Sequence, residues 1–173
     1  IKTLVTPAQP LDNIVWSPDG NKIASLIKDR HHYEPGNIAF VWHLDGRSEP
    51  QITFDAQQKI KTIKWSPDSK YVALLLKNEK HLIVLNADTG AMEKEIISGE
   101  KYMPDFSFHP DNSIAVLQAE KYSLSMRYFE DKDKTFCVIL HKLHSDKQKI
   151  ILCSRGIPIL ISWSPSENIF AIK

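Results

Sequence analysis

The sequence predicts an all-β fold, and three observations carry that prediction. No stretch sustains the 3.6-residue apolar period of a helix. Short runs of strand-forming residues end repeatedly in turn residues, as at Asp45-Gly46, Asp88-Thr89-Gly90 and Ser145-Asp146. The stretch Trp16-Ser17-Pro18-Asp19-Gly20 also recurs, as Trp65-Ser66-Pro67-Asp68 and, more loosely, at 108–111 and 163–166.

Aligned on Pro18, Pro67, Pro110 and Pro165, the repeats are spaced by 49, 43 and 55 residues, near the period of roughly 40 to 50 residues of propeller blades. An apolar, any, aromatic pattern precedes each proline: Ile14-Val15-Trp16, Ile63-Lys64-Trp65, Phe106-Ser107-Phe108 and Ile161-Ser162-Trp163. An apolar residue followed by alanine comes after it: Ile23-Ala24, Val72-Ala73, Ile114-Ala115 and Phe170-Ala171.

Each unit reads as four strands. The first is short, with Ile14 and Trp16 on one face. It ends at Ser17-Pro18-Asp19-Gly20, which suits a type I turn: Ser bonds the backbone at the first position, Pro presets φ at the second, and Gly is favoured at the fourth. Proline also lacks the N–H that a continuing ladder needs. The second strand, Lys22 to Ile27 or Tyr71 to Leu76, is apolar enough for burial on both faces, as stacked blades would provide. A third strand is expected over Asn37 to Leu44, His81 to Asn86 and Thr135 to Leu143. The fourth is expected over Pro50 to Phe54, Met92 to Ile97 and Gln148 to Ser154. The tryptophan of the motif is expected to wedge between neighbouring blades, where burial would contribute about 2 to 3 kcal/mol.

On these residues the chain resembles the blades of TolB-type and WD-repeat β-propellers over essentially its whole length. The repeat residues that carry the resemblance are Trp16, Pro18 and Asp19; Trp65, Pro67 and Asp68; Phe108, Pro110 and Asp111; and Trp163 and Pro165. Ser69, Asn112 and Glu167 stand where the motif has glycine, Phe108 stands for tryptophan and Ser166 for aspartate. Only Trp42-His43-Leu44-Asp45 approaches the Trp-Asp dipeptide of WD repeats, so the TolB-like label fits better. The expected architecture is a β-propeller of four-stranded antiparallel blades at about 11–55, 59–98 and 102–154. A partial blade is expected at 158–173, with residues 1–6 as the last strand of a preceding blade. The tally is fifteen strands. Propellers close with about four to eight blades, so a segment of a larger propeller is expected, with a compact four-bladed ring as the alternative.

Bulk composition names no partner. With 22 Lys and Arg against 21 Asp and Glu, the net charge of +1 leaves no electrostatic footprint for nucleic acid. No apolar run approaches a membrane span, and the N-terminus lacks the order of a signal peptide. The chain begins at Ile1 rather than Met, which leaves a leader or an N-terminal region open. A cytoplasmic setting is favoured, and a periplasmic one follows if a signal sequence precedes Ile1.

Function has to come from sites. The resemblance implies that loops between the second and third strands share a face with the connections between blades, a usual binding face. Two such loops are long. Lys28 to Gly36 carries Arg30, His31, His32 and Tyr33, and Glu120 to Lys134 carries Tyr122, Met126, Arg127, Tyr128 and Phe129. Aromatic residues, Met and Arg are enriched at protein interfaces. The other reading is that Tyr122, Met126, Tyr128 and Phe129 fill a small core of the loop itself or form an extra strand.

Chemistry finds little support. His31 and His32 are neighbours that do not readily converge on a metal, and His141 and His144 read as solvated residues around a turn. Cys137 and Cys153 would face each other if their strands pair about Ser145, which allows a disulfide in an oxidising compartment. Two buried free thiols are the favoured expectation. There is no Gly-x-Ser-x-Gly elbow, P-loop, Cys-x-x-Cys pair or His-Glu-x-x-His helix. The serines and aspartates of the repeat have no histidine at fixed spacing. The expectation is a non-catalytic scaffold without cofactor or metal that displays loops to a protein partner. Prolyl oligopeptidase-like enzymes supply one alternative, a propeller gating a separate hydrolase domain. A periplasmic TolB-like envelope component is the other.

Overall fold

The computed structural model describes residues 11–28, 35–46, 49–119, 135–155, 160–164 and 169–172. Among them lie fourteen strands and no helix. Strands β1 (Leu11–Trp16), β2 (Lys22–Lys28), β3 (Pro35–His43) and β4 (Ile52–Asp55) form one antiparallel sheet in chain order. Strands β5 (Ile60–Trp65), β6 (Tyr71–Leu76), β7 (His81–Asn86) and β8 (Met92–Ile97) form a second, again in chain order. A third is built from β9 (Phe106–Phe108), β10 (Ile114–Ala119), β11 (Thr135–His141) and β12 (Gln148–Arg155), and β13 (Ile161–Trp163) pairs with β14 (Phe170–Ile172). These are the four-stranded antiparallel sheets expected of propeller blades. The segment 1–6 and Pro165 lie outside the described residues.

The repeated motif is a turn device. Gly20 N–H donates to the Ser17 carbonyl at 2.9 Å, Ser69 to Ser66 at 3.0 Å and Asn112 to His109 at 2.9 Å. The donors of these three turns all have positive φ, at 73°, 61° and 63°. Ser and Asn therefore fill the left-handed position that glycine fills in the first turn, and Asn tolerates it better than most residues. The Ser17 hydroxyl donates to Asp19 Oδ1 at 2.5 Å and accepts from Lys22 N–H at 2.9 Å. Ser66 repeats this with Asp68 at 2.7 Å and Tyr71 N–H at 2.9 Å. In the third turn the His109 ring replaces the serine, with Nδ1 2.7 Å from Asp111 Oδ1.

The chain forms two compact units, Ile1–Asn78 with Leu82–Glu95, and Glu79–His81 with Ile96–Lys173. In the first, β2 and β6 are buried on both faces, from Ile23 to Ile27 and from Val72 to Leu76. A core joins Ala24, Leu26, Val41, Ile60, Ile63, Leu74 and Leu85, with Val15 and Trp65 packed against it. On the other side of β2 and β3, Trp42 packs with Ile23, Ile27 and Phe40. In the second unit Ala115, Leu117, Phe136, Val138 and Ile161 form the core, and Trp163 and Phe170 pack against it with rings stacked at 4.8 Å.

Three expectations are corrected here. Trp16 is not wedged between blades: it is 61% exposed, beside Ile14 at 59%, because none of the described residues covers that face of β1. His141 is a buried residue at the end of β11 rather than a solvated turn residue, and only His144 is exposed. Cys137 and Cys153 are not free thiols: they face each other in the β11–β12 register and form a disulfide, with Cys137 half-buried and Cys153 exposed. The two strands pair about Ser145, so the register itself brings the sulfurs together.

Candidate interaction surface

The turns between second and third strands lie beside the connections that lead from blade to blade. In the first unit, Lys77 N–H donates to the Lys59 carbonyl at 2.7 Å, and Asn78 Nδ2 donates to Gln58 Oε1 at 2.7 Å. In the second unit, Met103 N–H donates to the Glu79 carbonyl at 2.6 Å and Ser98 N–H to the Lys80 carbonyl at 3.0 Å. The Lys80 ammonium sits 5.4 Å from the centre of the Tyr102 ring, within cation–π range.

The roots of both long loops share this arrangement. Lys28 pairs with Pro35 across the mouth of the first. Ala56 N–H donates to the Asn37 carbonyl at 2.9 Å, and Asn37 Nδ2 donates to Asp55 Oδ1 at 2.7 Å, tying β3 to the start of the next connection. For the second loop, Ala119 pairs with Phe136 across the mouth and exchanges two backbone bonds with Tyr102, at 2.8 and 2.9 Å. The tips, with Arg30, His31, His32, Tyr33, Tyr122, Met126, Arg127, Tyr128 and Phe129, lie outside the described residues.

The opposite ends of the sheets carry polar joints. In the first unit, Asp19 N–H donates to Ser69 Oγ at 3.0 Å, and Lys22 Nζ reaches the Ser69 carbonyl at 3.1 Å and Asp88 at 2.6 Å. His43 Nε2 lies 2.9 Å from the Ala87 carbonyl. Gly90, at φ 74°, sits so close to blade one that a β-carbon there would meet Ile52 Cγ2 at 3.1 Å. In the second unit the joints run instead along the first strands, from their connection-side start: buried Asp105, just before β9, accepts from Ile161 N–H at 3.0 Å, and Ser107 Oγ accepts from Trp163 N–H at 3.0 Å. Asp105 and Ser107, two residues apart, thus bind the backbone of β13 at Ile161 and Trp163. Sequence reading missed these joints, whose only local signal is a polar residue flanking or alternating within an apolar strand.

Two turn aspartates are perturbed. A hydrogen bond from the Ser17 hydroxyl, with another from Asn21 N–H, lowers the carboxyl pKa of Asp19. Partial burial works against ionisation of Asp111, yet hydrogen bonds from Lys142, Ser113 and His109 hold its carboxyl well below the usual carboxylate range. Among the described residues no group of three or more His, Cys, Asp or Glu is arranged to hold a metal ion. No helix among them is long and apolar enough to cross a membrane.

This geometry defines the class of the fold: β-propeller blades, of the kind seen in WD40 domains. The chain is similar to one chain in the crystal structure of a mitotic checkpoint complex, with a TM-score of 0.64, 18% identity, and coverage of 100% of this chain and 50% of that one. It is also similar to the C-terminal WD40 domain of Sif2 (TM-score 0.60, 12% identity, 98% and 44% coverage). A third similar structure is the β-propeller domain of Cps50 (Swd1) from Myceliophteria thermophila (TM-score 0.61, 9% identity, 95% and 50% coverage). The chain thus spans about half the length of the solved structures it matches. No protein-family model and no curated protein matches the sequence.

Proposed function

We propose that the chain is a non-catalytic scaffold, one propeller domain or a segment of one, that displays its two long second-to-third-strand loops to a protein partner. Its blades run at about 11–55, 59–98 and 102–154, with a partial blade at 158–173. The observation that carries this reading is the anchoring of both loop roots: each springs from a paired strand mouth fixed by backbone bonds beside an inter-blade connection. Fixed roots set where each loop leaves its own sheet. The interface residues of this reading are Arg30, His31, His32 and Tyr33 in one loop and Tyr122, Met126, Arg127, Tyr128 and Phe129 in the other. The first similar structure is a chain within a mitotic checkpoint complex, a precedent for such blades working inside assemblies.

Replacing 120–134 by a short Gly-Ser turn in the full polypeptide and isolating its bound proteins tests the reading. Loss of a specific partner with an unchanged unfolding midpoint is expected. Undiminished recovery of every partner would refute it.

The Cys137–Cys153 disulfide favours a second reading, a TolB-like component of an oxidising compartment such as the periplasm. A secretory signal upstream of Ile1 in the gene would support it, and a gene product that remains in the reducing cytosol would exclude it.

A further inference from the structure

We infer that the Cys137–Cys153 bridge is a reversible thiol–disulfide exchange site that latches the outer strand of blade three, with Cys153 the sulfur open to a dithiol reductant. The outer strands of the three four-stranded sheets are attached differently. Strand β4 buries Ile52 and β8 buries Ile96, so each is held by an apolar anchor as well as by its ladder. Strand β12 buries no residue at all: seven of its eight residues are exposed and Ile151 is half-buried.

The β11–β12 ladder is also interrupted, with a register shift between Val138 and Ile139. Beyond that shift lie Leu152 to Arg155, where no side chain is buried. The disulfide sits within this stretch, on the one of the three outer strands that has no fully buried isoleucine and only half-buried Ile151 against the core. Its two sulfurs differ in access, since Cys153 is exposed and Cys137 is half-buried.

Access decides the course of exchange, because a thiolate must reach the sulfur it attacks. One thiolate of the dithiol attacks Cys153 Sγ and forms a mixed disulfide, while the Cys137–Cys153 bond breaks. Cys137 departs as a thiolate and takes a proton. The second thiol of the reductant then attacks its own bridged sulfur, closes the reductant into a cyclic disulfide and releases Cys153, which is protonated in turn. Two electrons and two protons pass to the cysteine pair, and the reductant is oxidised by the same two electrons. The Leu152 to Arg155 end of β12 then has no covalent link to β11.

The test treats the oxidised full polypeptide with dithiothreitol in native buffer, counting thiols by mass after alkylation and following amide exchange of β12. Both thiols are expected to appear without unfolding, and exchange over 152–155 to accelerate about tenfold or more while β10 is unchanged. Single variants assign the attacked sulfur: the lone Cys153 of Cys137→Ser should alkylate several-fold faster than the lone Cys137 of Cys153→Ser. A bridge that yields only in denaturant would overturn the inference. So would unchanged exchange in β12, or a pair that stays as two thiols under a disulfide-forming oxidant. If either variant fails to fold, the wild-type exchange measurement still decides. A faster-reacting Cys137 would overturn the assignment of Cys153.

Discussion

Trp16 and Trp65 occupy the same place in the same motif one blade apart, yet their surroundings are opposite. Trp65 is half-buried, packs with the core of its unit and donates its indole N–H to the Val15 carbonyl at 3.1 Å. Its strand neighbour Ile63 is 3% exposed, whereas Ile14 and Trp16 stand open on β1. Val15 belongs to the first strand of the preceding blade, so what covers Trp65 is blade one. The two halves of the motif thus have separate roles. Ser, Pro and Asp make a turn from local bonds alone, while the tryptophan depends on a neighbour that the motif does not encode.

The sharpest way to break that comparison is to truncate both indoles. Trp65→Ala is expected to lower stability to urea by about 3 kcal/mol, and Trp16→Ala by less than about 0.5 kcal/mol, as for a surface change. Equal losses would mean that the Trp16 face is covered in solution. A smaller contrast is expected at two glycines that share a positive φ. Gly90→Ala should cost about 2 kcal/mol, since it adds a close contact with Ile52 to the backbone strain. Gly20→Ala, with open space around it, should cost about 1 kcal/mol. Thermal unfolding of the two variants would separate strain from crowding.

The smallest effect concerns acid. The Asp111 carboxyl titrates lower in the folded chain than the ordinary aspartate value of 3.8, so the stability it contributes is complete above that value. That contribution is lost as the pH falls below 3.8 towards the folded value. Asp111→Asn should flatten this acid limb in a pH series of urea midpoints and cost only about 0.5 kcal/mol at pH 7, where the Lys142 contact is solvent-screened. An unchanged acid limb would show that Asp111 is not responsible.

Strands and turns were legible because their causes are local. Tyr71–Leu76, His81–Asn86 and Met92–Ile97 fall where apolar runs and turn residues put them. What escaped has distant causes. Nothing near Trp16 announces that its face is open, and nothing near His141 announces that it is buried. The sequence allows either a disulfide or free thiols at Cys137 and Cys153, because register pairs the two residues but does not specify their oxidation. The joints of Asp105 and Ser107 with β13 span 56 residues and leave no local pattern. The loop residues proposed for partner binding were legible in composition alone.

Ser69 shows what happens when a repeat loses its signature letter. It keeps the left-handed backbone of the glycine it replaces, and its hydroxyl adds an acceptor for Asp19 N–H in the neighbouring blade. A pattern search that insisted on glycine would find one of the three described turns and pass over this one. Divergence of a repeat from its consensus is therefore a poor gauge of decay, because the same substitution that erases the signature can fasten one repeat to the next.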